Sequence, residues 1–145
     1  MKNLLIIALI AFFSVSPWEP DFTNAKKIAK EKNELILLNF SGSDWCGPCI
    51  RMHKEIFGDA NFLKMASTNL VMVNADFPRS KKNQLSALLK KQNEALAETY
   101  NPKGSFPFTV LITAEGKVIK EWEGLPNQSA EVFTAEVKKI CDAHK

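Results

Sequence analysis

Cys46 and Cys49, separated by Gly47 and Pro48, are the residues of this chain whose type and spacing could do chemistry. Two thiols this close form a disulfide unless something reduces them, and the disulfide reopens by exchange with another thiol. Dithiol–disulfide exchange is therefore the first chemistry to weigh. An inert disulfide and half of a zinc site are the alternatives. Zinc would need two further ligands, and the candidates His53, Cys141 and His144 make no second close pair. Covalent haem attachment needs a histidine directly after the second cysteine, where Ile50 stands instead.

What the sulfurs can do depends on the elements that hold them. Leu35 to Phe40 is a nearly continuous apolar run of strand length, the pattern of a central strand buried on both faces. A Ser41-Gly42-Ser43-Asp44 turn follows, then a helical stretch from about Cys46 to Phe57 that stops at Gly58-Asp59. Cys46 thus falls where a helix begins, and the unpaired amides there carry partial positive charge that stabilises a thiolate. A free thiol has a pKa of about 8.5, whereas Cys-X-X-Cys thiols at helix starts fall to roughly 3.5 to 7.5. Cys46 is the expected nucleophile. Cys49, one turn further in and less exposed, is the expected resolving thiol that attacks a mixed disulfide on Cys46. Pro48 is tolerated because the first helical turn needs no amide donor there, and it stiffens the turn between the sulfurs.

The rest of the chain supplies a frame for that junction. Asp21 caps an amphipathic stretch to Asn33 whose Phe22, Ala25, Ile28 and Ala29 share a face. A short helix is expected around Asn61 to Ser67, a second buried strand over Leu70 to Ala75, and a polar, basic connection over Phe77 to Asn83. Leu85, Leu88, Leu89, Gln92, Leu96 and Thr99 recur at helical spacing up to the break at Asn101-Pro102-Lys103-Gly104. Phe108 to Thr113 and Val118 to Glu123 read as a hairpin around Ala114-Glu115-Gly116-Lys117. Phe133, Val137, Ile140, Cys141 and His144 fall on one face of a last helix capped by Asn127 or Ser129. The expected fold class is α/β, with a mixed sheet built from a parallel strand-helix-strand unit plus an antiparallel hairpin and flanked by helices on both faces.

Composition closes off other classes. The chain has 145 residues, 46% hydrophobic and 24% charged, which fits one globular domain and neither a disordered nor a membrane-dominated protein. Three cysteines are too few for a disulfide-stapled scaffold, and a net charge of +3 is too weak to suggest nucleic-acid binding. Met1 and Lys2 precede an apolar run from Leu4 to Phe13 and then Ser14, Val15 and Ser16, the order of a secretory signal. We expect a signal peptide over residues 1–16, cleaved between 16 and 20, and a single domain over 20–145. The uncharged stretch is shorter than the roughly 20 apolar residues that span a bilayer, so no stable membrane span is expected after cleavage, with retention as an uncleaved anchor the alternative. Export places the thiols in an oxidising compartment.

Trp45-Cys46-Gly47-Pro48-Cys49 at a strand-to-helix junction resembles the hallmark of the thioredoxin superfamily. The resemblance continues through Met52, Glu55-Ile56-Phe57, the strand Leu70 to Asp76, Phe106-Pro107-Phe108-Thr109 and the hairpin glycine Gly116, roughly residues 20 to 143. Within that superfamily the chain is similar to small exported bacterial thioredoxin-like proteins, whose central strand leads into Phe-Ser/Thr-Gly-Ser-Asp-Trp-Cys. The resemblance implies the thioredoxin fold and a periplasmic, extracellular or envelope-associated location in a bacterium. It also implies that Pro107 is a cis proline, leaving Phe106 to pair its main chain with an extended substrate segment. The expected substrate-binding residues are accordingly Trp45, Phe106 and Pro107, with Gly47 and Pro48 forming the active-site turn. Two positions depart from the family. Its buried acid falls on Asn39 and its buried lysine on Met72, so both charges are lost together. Cys49 would then rely on a water, His53 or the substrate to take its proton.

Cys141 reads as a small buried hydrophobe, His53 as a surface or packing residue able to tune Cys49, and Trp18 and Trp122 as packing residues. Arg79, Lys81, Lys82, Lys90 and Lys91 read as a solvated basic face. The expected activity is protein-disulfide reduction through Cys46 and Cys49, without organic cofactor or metal. Expected partners are proteins bearing disulfides or thiols and a redox partner that resets the pair, with no nucleic acid. Gly-Pro between the cysteines resembles thioredoxin, a reductant with a potential of about −270 mV. An oxidase or isomerase of the same fold, a non-catalytic peptide-binding module and, remotely, a metal chaperone are the competing readings.

Overall fold

A computed structural model describes residues 16–145; the signal segment proposed for residues 1–16 lies outside these described residues except for Ser16. The elements in chain order are α1 (Phe22–Lys32), β1 (Leu35–Ser41), α2 (Gly47–Glu55), α3 (Ala60–Asn69), β2 (Leu70–Asp76), α4 (Ala87–Tyr100), β3 (Phe108–Ile112), β4 (Val118–Glu123) and α5 (Ala130–Asp142), with a short 3-10 turn over Lys81–Asn83. The sheet order is β2-β1-β3-β4. β1 pairs parallel with β2 and antiparallel with β3, and β3 pairs antiparallel with β4. This is the mixed sheet of the thioredoxin fold.

Every residue of β1 is buried, as its unbroken apolar run requires of a strand covered on both sides. Side chains alternate along a strand, so one face of β1 offers Ile36, Leu38 and Phe40 to a core with Ala25 and Ala29 of α1 and Leu96 of α4. The other face offers Leu35 and Leu37 to Met52, Phe62, Phe133 and Val137, which belong to α2, α3 and α5. β2 is an outer strand, and its edge is partly covered by the segment before α1. Trp18 bridges Met72 in parallel, and the Glu19 amide donates to the Met72 carbonyl at 2.8 Å.

Helix starts follow the capping residues. Asp21, Asp59, Ser86 and Ser129 each accept a main-chain amide of the helix that follows. Of the two candidates for capping α5, Ser129 does so. The stripe read on α4 is corrected. Leu85 precedes the helix, Leu88 is 80% exposed and Thr99 faces solvent, while Asn93 and Leu96 are buried. The Asn93 side chain donates to the Asp76 carbonyl at 3.0 Å, so a polar residue turns α4 toward the sheet where periodicity favoured leucines. His144 lies beyond the end of α5, exposed, rather than on its apolar face.

Candidate active site

The α2 side of the sheet changes character along its length. On β1, Leu35 and Leu37 are followed by Asn39 and Ser41, and in register on β2, Leu70 and Met72 are followed by Asn74 and Asp76. The apolar half packs the core, and the polar half ends beneath the start of α2. The turn leaving β1 is fixed by Asp76, which accepts the Ser43 amide at 2.9 Å and the Ser43 hydroxyl. Gly42 has no alternative there, because a Cβ would overlap the Trp45 indole.

The Cys46 amide donates to the Gly42 carbonyl at 2.9 Å, and Cys46 then caps α2, its sulfur accepting the Cys49 amide at 3.3 Å. Cys46 and Cys49 form a disulfide with Cα atoms 5.2 Å apart. Pro48 occupies the first turn, and Gly47 and Pro48 are exposed. Cys46 is 6% exposed and Cys49 1%, so the difference between them has the expected sign but both are buried in the disulfide.

Trp45, next to Cys46 in sequence, belongs to an aromatic cluster. Trp45 donates from Nε1 to the Phe77 carbonyl at 2.7 Å and meets Phe106 edge-on at 5.5 Å, and Phe77 meets Phe106 at 5.6 Å. The Phe106–Pro107 peptide bond is cis, and among the described residues neither the Phe106 N–H nor its C=O has a hydrogen-bond partner. A bare main-chain edge therefore lies beside the tryptophan that precedes Cys46. The structure brings Trp45, Cys46, Cys49 and Phe106 into one locality.

Several contacts were not legible in the sequence. Asp44 accepts the amides of Arg79 and Ser80 at 2.9 and 2.8 Å and the Asn83 side chain at 3.0 Å, tying the basic connection to the active-site turn. The Arg79 amide foremost, then the Asn83 and Ser80 donors, hold the Asp44 carboxyl below its ordinary value. So anchored, Arg79 stays exposed as expected but also sets its guanidinium 3.8 Å from the centre of the Trp45 ring, a contact the sequence did not show. The only prior signal was an aspartate in a turn ahead of a helix, a pattern that suggests a local cap rather than a partner 35 residues away.

Asn39, at the position of the family's buried acid, is fully buried, and Met72 is 3% exposed. The Asn39 side-chain amide donates to Thr109 Oγ1 at 2.9 Å, and its Oδ1 meets His53 Nε2 at 3.0 Å. His53 stacks on Trp18 at 5.1 Å and lies edge-on to Phe57 at 5.3 Å. Burial lowers its pKa, against smaller opposing effects of Asp76 and Asn74. Ser41, Ser43, Cys49, Ile50, His53, Lys54 and Asn74 line a pocket of about 370 Å³ beside the disulfide. Among the described residues no group of three His, Cys, Asp or Glu side chains is placed to hold a metal ion.

Comparison with known proteins decides the family. The model of the thioredoxin-like domain family matches residues 22–140. The chain belongs to that family. Across 128 residues the thioredoxin-like chain is 35% identical to the disulfide bond reductase DsbH of Chlamydia pneumoniae, covering 88% of this chain and 72% of that protein. A thioredoxin-related protein of the same bacterium, DsbJ, is 28% identical over 102 residues, which are 70% of this chain and 28% of that longer protein. A solved DsbH oxidoreductase superposes with a TM-score of 0.79 at 30% identity, covering 98% of this chain and 94% of that one. A thioredoxin from Thermus thermophilus superposes at 0.60 with 15% identity over 81% of this chain and 82% of that one, a likeness of fold.

Proposed function

We propose that this thioredoxin-like protein is a thiol:disulfide oxidoreductase that works as a protein-disulfide reductase. The observation that carries the reading is the Cys46–Cys49 disulfide capping α2, in a chain 35% identical to a disulfide bond reductase. In the reduced protein, the amides at the α2 start stabilise a thiolate on Cys46. That sulfur attacks a client disulfide, forming the Cys46–client bond and releasing one client thiolate. Cys49 then attacks Cys46, the Cys46–client bond breaks, and the second client sulfur leaves with its electron pair. The client has gained two electrons and the Cys46–Cys49 disulfide is restored.

Trp45, Phe106 and Pro107 form the client-binding edge in this reading. Support comes from the unpaired Phe106 main-chain groups, which can accept an extended client segment as an added strand. Gly47 and Pro48 shape the turn. We place the protein on the exported side of a bacterial membrane, reading residues 1–16 as a signal cleaved between 16 and 20. Among the described residues no helix is long and apolar enough to cross a membrane. A second redox protein, needed to reduce the pair after each turnover, completes the cycle.

Redox titration against glutathione tests the direction. The expected potential is near −270 mV, and one above about −180 mV would make the protein an oxidase or isomerase instead.

A further inference from the structure

Resolution of the mixed disulfide demands that Cys49 lose a proton, and burial makes that costly. Cys49 is 1% exposed in the disulfide, and desolvation disfavours a thiolate. The same effect on the other buried cysteine, Cys141, pushes its pKa up to about 11. A group that takes the Cys49 proton must reach the same space. The pocket beside Cys49 holds two titratable side chains besides the cysteine itself, His53 and Lys54. Lys54 is exposed, whereas His53 is half-buried against the sheet.

His53 is held in the form that can accept. Asn39 donates its amide hydrogens to Thr109 Oγ1 at 2.9 Å and the Phe108 carbonyl at 3.4 Å, which fixes its Oδ1 toward the ring. Facing an oxygen at 3.0 Å, His53 Nε2 must carry the hydrogen, and Nδ1 is left as the basic atom of the neutral ring. Stacking on Trp18 and the edge contact with Phe57 hold the plane of the ring. Charged groups that face it come from two elements: Lys54 from α2, and Asp76 from β2, whose carboxylate is engaged by Ser43. Burial outweighs the opposing effects of Asp76 and Asn74 and lowers the ring's pKa from its ordinary value, which favours the neutral form.

We propose that His53, positioned by Asn39, is the proton acceptor for Cys49 in the resolution step. The inference rests on the dithiol reading above. The Cys49 S–H proton passes across the pocket to His53 Nδ1, the Cys49–Cys46 bond forms as the Cys46–client bond breaks, and the client thiolate departs with the electron pair. The imidazolium then returns its proton to that thiolate or to solvent.

Stopped-flow reaction of the reduced protein with 5,5′-dithiobis(2-nitrobenzoate) separates the two steps. One equivalent of nitrothiolate is released when Cys46 attacks and a second when Cys49 resolves the adduct. For His53→Gln, the ratio of the second rate to the first should fall at least about tenfold at pH 7, the low end of what a positioned base contributes. The second phase of the natural protein should lose rate as pH drops through the His53 pKa, below its ordinary 6.5, and His53→Gln should lack that inflection. An unchanged ratio and pH profile would overturn the proposal while leaving the dithiol reading intact. Both phases persisting in Cys46→Ser would instead overturn the dithiol reading itself. Nitrogen NMR of the ring in the reduced natural protein needs no variant: a neutral Nε2–H ring at pH 7 is expected, and an Nδ1–H or doubly protonated ring contradicts the assignment.

Discussion

Cys46 and Cys141 are both buried, at 6% and 2% exposure, yet they sit at opposite ends of their helices. Cys46 caps the start of α2, where amides converge, while Cys141 lies in the last turn of α5 beside Asp142. Helix amides favour a thiolate at the first position. At the second, burial and then Asp142 raise the pKa to about 11. Burial alone therefore does not decide what a cysteine does; the dipoles and charges around the sulfur do.

The most severe way to break this contrast is to remove each sulfur in turn. Insulin reduction by Cys46→Ser should fall to the level of the dithiothreitol-only control, whereas Cys141→Ala should keep its turnover and lose about 1 kcal/mol in a urea melt. Equal losses in the two variants would erase the distinction. Next in size, Cys49→Ser should accumulate Cys46–client adducts, visible on non-reducing gels and absent when Cys46 is also replaced. Recovery of no adducts would deny Cys49 its resolving role.

The helix-start position was legible because it rests on local signals: an apolar strand-length run, a glycine turn and a proline in the first turn. The sheet, with its covered central strand, followed from the same kind of pattern. What could not be read was any contact that joins distant segments through polar atoms. Asn39 in an apolar run looks like a lost charge, and only packing shows it bridging Thr109 and His53. Trp18 was legible as a packing residue, but not that it packs on His53. On α4, a leucine at helical spacing proved exposed because Asn93 found a main-chain acceptor in β2. Hydrophobic period reports average burial, and one buried side-chain N–H that finds a main-chain acceptor is enough to rotate a helix, even with Asn93 Oδ1 left without a partner among the described residues.

Two smaller tests sharpen the comparison by disturbing the support of Cys46 rather than the sulfur. Gly42→Ala should cost about 1–3 kcal/mol in a denaturant melt, because the added methyl meets the Trp45 indole. A neutral outcome would mean that the turn ahead of Cys46 is not closely packed. The smallest effect concerns pH. His53 has a lowered pKa in the fold, so the unfolded chain binds the proton first as pH falls. Its contribution to stability is complete above about pH 6.5 and declines from there down through the folded pKa. Urea midpoints between pH 7.5 and 5.5 should thus fall less for His53→Gln than for the natural protein, and parallel slopes would refute this.

Ionisation of the helix-capping sulfur is tested most directly by alkylating the reduced, folded protein with iodoacetamide at pH 6 and mapping each cysteine by mass. Cys46 should be modified about tenfold faster than a simple peptide thiol, with Cys141 unmodified until the protein unfolds. Modification of Cys46 no faster than the peptide thiol would contradict the account.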